Sequence, residues 1–197
     1  MSSNITVYID APYPSQNADR LFASEAMQDP SMAAPFVRMR DYFNGKGIRV
    51  HTADFLRARK GLSKFNYYFS FGDVSNFQDS TLGDPSIGVI FGSFVAFETP
   101  LIQPIIYEKM DEIKDKFKYV YAYNKSLTGN SDKHQQLYFP VPYNEVQEPF
   151  WSNTTRNDKF VMVSGNHRPR RGYQNELYSE RLKALRLLAK NNSIDLY

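Results

Sequence analysis

Residues 87–123 read IGVIFGSFVAFETPLIQPIIYEKMDEIKDKFKYVYAY, and the succession of patterns within them decides the fold class. Ile87–Phe91 is a continuous apolar run, and Phe94–Phe97 leads from a second one into Glu98-Thr99-Pro100. Strands buried on both faces of a parallel sheet lack the alternation of a half-exposed strand, so such runs predict central parallel strands. Gln103–Lys116 then predicts an amphipathic helix. Ile105, Ile106, Met110 and Ile113 lie toward one face, and Glu108, Lys109, Asp111, Glu112 and Lys114 toward the other. Pro104 suits its first turn. Phe117–Tyr123 (FKYVYAY) follows as another strand.

The same grammar extends in both directions. Upstream, Ile5–Ile9 (ITVYI), Ile48–His51 and Tyr67–Phe71 (YYFSF) predict strands. Residues 11–31 are a loop rich in Pro, Ser, Asn and Asp, and Ala34–Asn44 is a helix closed by Gly45 and Gly47. Downstream, Asn124–Gln136 is polar and Phe139–Tyr143 is an extended segment fixed by prolines. After a linker over 145–157, a second pattern begins. Phe160–Val163 is a strand, Ser164–Gly172 a basic turn, and Asn175–Lys190 a helix with Leu177, Leu182, Leu185, Leu188 and Ala189 inward. Ile194–Tyr197 opens a further strand. The expected architecture is α/β: a Rossmann-like parallel sheet with flanking helices over residues 1–144, and the start of a second, incomplete α/β domain over 158–197.

Composition narrows the functional classes. The chain has 197 residues, 42% of them hydrophobic and 23% charged, which suits a globular protein and excludes general disorder. No apolar run approaches the roughly 20 residues of a membrane helix, and Met1–Asp10 lacks the pattern of a secretory signal. With no cysteine there is no disulfide, thiolate metal site or Cys nucleophile. A cytoplasmic protein without a membrane span is expected, peripheral association remaining compatible with this composition. Net charge is only +3, but it is unevenly placed. Residues 151–197 hold nine Lys/Arg against four acids, a balance of +5 on a body of −2, which points to an anion such as a phosphate bound near the end.

Few residues carry chemistry by spacing alone. Glu98 follows a hydrophobic strand, at the edge where ligands bind in open α/β sheets, and a carboxylate there suits a general base. It equally suits an acid complementing the dipole of the following helix. Ser164, Gly165, Asn166 and Arg168, Arg170, Arg171 stand between a strand and a helix, with Arg181 inside that helix. Free N–H groups at a helix start and clustered arginines would suit a diphosphate. A merely solvated basic loop is the bland alternative. Neither G-x-x-x-x-G-K nor G-x-G-x-x-G is present. His51, His134 and His167 have no zinc-like spacing and read as surface or capping residues, so no metal site is expected. The adjacent letters Ser164-Gly165-Asn166-His167 carry no triad, because a triad is defined by geometry.

Two blocks together resemble the fucosyltransferase-like (family 10) glycosyltransferases. Phe97-Glu98-Thr99-Pro100 is similar to that family's Glu-Ser-Pro or Glu-Asn-Ser type motif after a hydrophobic strand. Lys159–Asn166 (KFVMVSGN) resembles its strand ending in Ser-Asn, followed by a helix Arg and a strand Tyr, here Arg181 and Tyr197. Thr99 departs mildly from the motif, and Gly165 interrupts Ser-Asn. The resemblance covers roughly residues 60–197. It implies a GT-B-like pair of Rossmann-like halves, of which the second is cut short after Tyr197. It further implies inverting transfer of fucose from GDP-fucose to a bacterial or viral surface glycan without a metal cofactor. Glu98 would be the base, and Ser164, Asn166 and Arg181 would hold the donor diphosphate. Acceptor choice would lie in loops such as 11–33 and 73–86. A carbohydrate- or nucleotide-binding module without catalysis is the alternative. Nucleic-acid binding through loop 167–173, with Tyr173 stacking, is disfavoured by the low net charge.

Overall fold

The computed structural model describes residues 4–11, 13–23, 33–72, 79–123, 132–138, 159–163 and 176–196. The chain forms two compact units, one of residues 1–100 with 105–142 and one of residues 143–197 with 101–104.

The first unit is built on six strands: β1 (Ile5–Asp10), β2 (Arg49–Thr52), β3 (Phe65–Ser70), β4 (Val89–Ala96), β5 (Tyr119–Ala122) and β6 (His134–Gln136). Every neighbouring pair is parallel, in the order β2-β1-β3-β4-β5-β6. The α/β parallel sheet with flanking helices expected from the apolar runs is therefore present. Its order reverses at β1, which has β2 on one side and β3 on the other, and the crevice at such a point is where open α/β sheets bind ligands.

Side chains alternate between the two faces, as a pleated strand requires. Val7, Ile9 and Val50 pack with Leu21 and Phe22 and with Phe36, Met39 and Phe43 of α1 (Ala34–Gly45). Tyr8, Tyr68, Phe94, Ala96, Val120 and Ala122 belong to the larger cluster. There they meet Leu56 of α2 (Ala53–Arg57), Ile106 of α3 (Pro104–Glu108), and Met110 and Ile113 of α4 (Met110–Lys116).

The single helix expected over 103–116 is thus two, with a turn at Lys109 (φ −102°, ψ 14°). Bonds from Lys109 N to Ile105 O and from Ile113 N to Lys109 O still link them. Ile105 does not share the buried face. At about 100° per residue it lies roughly 80° or more from each member of the stripe formed by Ile106, Met110 and Ile113, and it is 43% exposed. The segment His134–Gln136, read as part of a polar loop, is an edge strand paired with β5.

The two apolar runs of residues 87–97 are one strand interrupted by a bulge. Tyr68 stands opposite Phe91 and Phe69 opposite Ser93, so Gly92 is the extra residue. A Cβ added at Gly92 would lie 2.3 Å from Phe69 Cε1 and 2.8 Å from Cδ1, which only glycine avoids. Gly92→Ala is expected to cost about 1–3 kcal/mol in denaturant unfolding, because the Phe69 ring must leave its place. Phe69→Leu in the same chain should recover part of that loss, whereas strictly additive costs would remove Phe69 as the cause.

In the second unit β7 (Phe160–Met162) and β8 (Ile194–Leu196) are parallel neighbours joined by α5 (Leu177–Ala189). Lys159 Nζ lies 3.1 Å from Asp195 Oδ1. Of the five residues expected inward on α5, Leu185 and Leu188 are half-buried, while Leu177, Leu182 and Ala189 are exposed. Two three-residue strands form too narrow a strip to cover more than one stripe of a helix. The extended segment 139–143, the linker 145–157, Ser164, Asn166 and Tyr197 lie outside the described residues.

Candidate functional site

The C-terminal edge of the six-stranded sheet gathers its polar chemistry. Asp10 ends β1, level with Ser70 at the end of β3, which in turn is level with Phe94 of β4. The Asp10 side chain is 3% exposed and accepts hydrogen bonds from Arg57 Nη2 at 2.7 Å and from the Tyr68 hydroxyl. Arg57 Nε also reaches Asp79 Oδ2 at 3.4 Å. Asp79 in turn caps the turn Ser80–Gly83 by accepting from Thr81 N at 2.8 Å. Burial, and after it the adjacent Asp10 carboxylate, push the Tyr68 phenol well above the usual tyrosine range. Burial opposes the charge of Arg57, but Asp10 outweighs it and raises the guanidinium's pKa. A buried carboxylate thereby ties β1, β3, α2 and the 79–83 turn together at the reversal of strand order. Sequence reasoning missed this group because its members are far apart in the chain. The local signal that could have found Asp10 is an acid closing an apolar strand.

Glu98 lies two residues beyond β4, and its residue is exposed. Two strand spacings of about 4.8 Å separate β4 from β1, so the ends of these strands are roughly 10 Å apart. Tyr107 of α3 donates from its hydroxyl to the Glu98 carbonyl at 2.7 Å, which fixes the backbone of this turn. Tyr123, directly after β5, shares a hydrogen bond with Tyr107. Burial raises the Tyr123 phenol, and the Glu98 charge adds a smaller push in the same direction. A carboxylate at the sheet edge, on a backbone tethered by a phenol, can accept a proton from a ligand hydroxyl.

Arg181 belongs to the second unit and is exposed on α5, its guanidinium carbon 5.4 Å from the Tyr178 ring centroid. Among the described residues it forms no ion pair, in keeping with its apolar neighbours one turn away. The start of α5 differs from expectation. The Glu176 carboxylate accepts from Tyr178 N at 2.6 Å and Ser179 N at 2.9 Å; its pKa is lowered first by the Ser179 hydroxyl and then by these backbone bonds. The N–H groups expected to be free for an anion are therefore occupied by the chain's own carboxylate. Ser164, Asn166 and the arginines at 168, 170 and 171 lie outside the described residues. Glu98 stands in the first unit and Arg181 in the second.

Two histidines differ from the surface or capping role expected of them. His134 is 5% exposed in β6. His51, near the end of β2, places Nδ1 2.8 Å from Asp19 Oδ2. A separation of 32 positions leaves no spacing by which that pair could be read. Among the described residues no cluster of three or more His, Asp or Glu could hold a metal ion, and no helix is long and apolar enough to cross a membrane. No family model, curated protein or solved structure matches this chain.

Proposed function

We propose that this protein is an inverting glycosyltransferase that moves fucose from GDP-fucose to a glycan hydroxyl. The observation that carries the reading is Glu98, an exposed carboxylate at the C-terminal edge of a parallel sheet whose backbone is held by the Tyr107 hydroxyl. Its carboxylate takes the acceptor's hydroxyl proton while that oxygen bonds to the anomeric carbon from the face opposite the leaving group. The bond from that carbon to the diphosphate oxygen breaks, and GDP leaves with the electron pair. Arg181 offsets the negative charge that gathers on the diphosphate, and Ser164 and Asn166 donate hydrogen bonds to it.

A second reading, a carbohydrate- or nucleotide-binding module without catalysis, draws support from Glu176, which fills the start of α5 where a phosphate would otherwise sit. Calorimetric titration of GDP and GDP-fucose, paired with a transfer assay on glycan acceptors, separates the two. The transferase reading expects GDP binding, weakened about tenfold or more in Arg181→Ala, and fucosylated product. Binding of sugar or nucleotide without product would favour the module, and absence of both binding and product would overturn both readings.

A further inference from the structure

The outer end of the sheet carries a second arrangement that neither Glu98 nor Arg181 uses. Asp19 is fixed against β2 from several directions. Its backbone N donates to Thr52 Oγ1 at 2.9 Å, its Oδ1 accepts from Thr52 N at 2.8 Å, and its Oδ2 faces His51 Nδ1 at 2.8 Å. Burial works against this carboxylate's charge, but the bonds from His51 and Thr52 prevail and lower its pKa. The backbone that delivers it is strained. Ala18 and Asp19 both adopt left-handed conformations, with φ of 57° and 61°. Non-glycine residues persist in this region only where their surroundings over-determine them. Ala18 N is secured on Asp54 Oδ2 at 3.1 Å.

The imidazole is equally constrained. It stacks on Phe55 with centroids 4.8 Å apart and planes at 18°, and the Tyr8 ring lies 6.4 Å away. Gly61, at φ +69°, passes so close that a Cβ there would lie 3.3 Å from His51 Cδ2 and 3.5 Å from Nε2. The side chain keeps 26% exposure. A carboxylate on Nδ1 holds the proton at that nitrogen and leaves the Nε2 lone pair as the acceptor. Among the described residues Nε2 makes no hydrogen bond. Three strand spacings, about 14 Å, separate β2 from β4, so this pair does not share a reacting atom with Glu98.

We propose that Asp19 and His51 form a separate general-base centre that hydrolyses an uncharged ester, with water as co-reactant. His51 Nε2 takes a proton from water as the water oxygen bonds to the ester carbonyl carbon. The resulting imidazolium is balanced by Asp19 and returns the proton to the leaving alkoxide as the carbon–oxygen bond breaks. No oxidant or reductant enters. The half-buried ring of Phe55 beside the imidazole suits an uncharged substrate, and the carboxylates of Asp19 and Asp54 disfavour a phosphate ester.

The probe is p-nitrophenyl acetate, followed by p-nitrophenolate release with the whole chain, together with nitrogen-15 NMR of the histidine rings. The expected spectrum of neutral His51 has its proton on Nδ1. His51→Gln is expected to lower kcat/KM about 100-fold and Asp19→Asn about tenfold or more, while His167→Gln leaves it unchanged. Near-ultraviolet circular dichroism of the variants reports whether the fold is retained. The proposal is overturned if His51→Gln hydrolyses the ester as fast as the parent chain. It is overturned equally if the spectrum of the parent chain, which depends on no variant, places the proton of neutral His51 on Nε2.

Discussion

Asp10→Ala is expected to destabilise the first unit by about 3–5 kcal/mol, the cost of removing one partner from a buried ion pair. The carboxylate is 3% exposed and accepts from the Arg57 guanidinium at 2.7 Å and from the hydroxyl of Tyr68, a residue with no exposed surface. Without it Tyr68 keeps a buried donor with its main partner gone. Among the described residues Arg57 then keeps Asp79, at 3.4 Å, as its ion-pair partner. The loss exceeds that of an ordinary surface ion pair because water cannot reach the vacated groups freely. Asp10→Asn keeps the shape and one acceptor oxygen and should cost less. Tyr68→Phe combined with Asp10→Ala should cost less than the sum of the two, because each change removes the same hydrogen bond. Denaturant unfolding of the parent chain and these four variants, Tyr68→Phe alone included, measures all of this. A loss below about 1 kcal/mol for Asp10→Ala would mean that Arg57 and Tyr68 find other partners, and that the group is peripheral to stability.

What the sequence made legible, and what it hid, divides along the range of the interactions. Ile5–Ile9, Tyr67–Phe71 and Phe117–Tyr123 announced strands because central parallel strands are apolar on both faces, a property written in consecutive residues. His134–Gln136 did not, since an edge strand gains its backbone bonds from β5 and owes little to its own side chains. The division of the helix over 103–116 was hidden by Ile105. One apolar residue off the stripe looks like part of a broad face until the sheet shows which side it covers. Glu98 could be found because the acid, the preceding apolar run and Pro100 are contiguous. Its tethering by Tyr107 could not, because that contact depends on where α3 comes to rest. The capping of α5 by Glu176 was readable in principle, as an acid placed immediately before an apolar-periodic helix. The basic residues around it drew the reading toward an external anion instead. Asp19 with His51 and Asp10 with Arg57 illustrate the limit of local patterns, since each pair is made by crossovers of the chain.

Glu98→Gln is expected to lower fucosyl transfer by about 10²–10⁴-fold, the usual contribution of a positioned general base, while GDP binding stays near that of the parent chain. Glutamine matches the length of glutamate and can still accept a hydrogen bond from an acceptor hydroxyl, but it cannot take the proton as the oxygen attacks. A loss in kcat with little change in the donor's KM would therefore identify proton removal rather than binding as the missing contribution. The Tyr107 bond is made to the Glu98 backbone carbonyl and survives the change. A collapsed turn is thus not the expected cause of lost activity. Tyr123 supplies a check that needs no substrate. The Glu98 charge is one of the causes that raise its phenol, so its titration should move back toward the ordinary tyrosine range in Glu98→Gln. Four outcomes can be told apart. Lost transfer with a shifted Tyr123 supports Glu98 as the base in the geometry described here. Retained transfer with the same shift removes Glu98 as the base while leaving the geometry intact. An unmoved Tyr123 would mean that burial sets its phenol, and the transfer assay alone would then decide the role of Glu98. A parent chain that binds GDP but yields no fucosylated product would move the reading to the non-catalytic module.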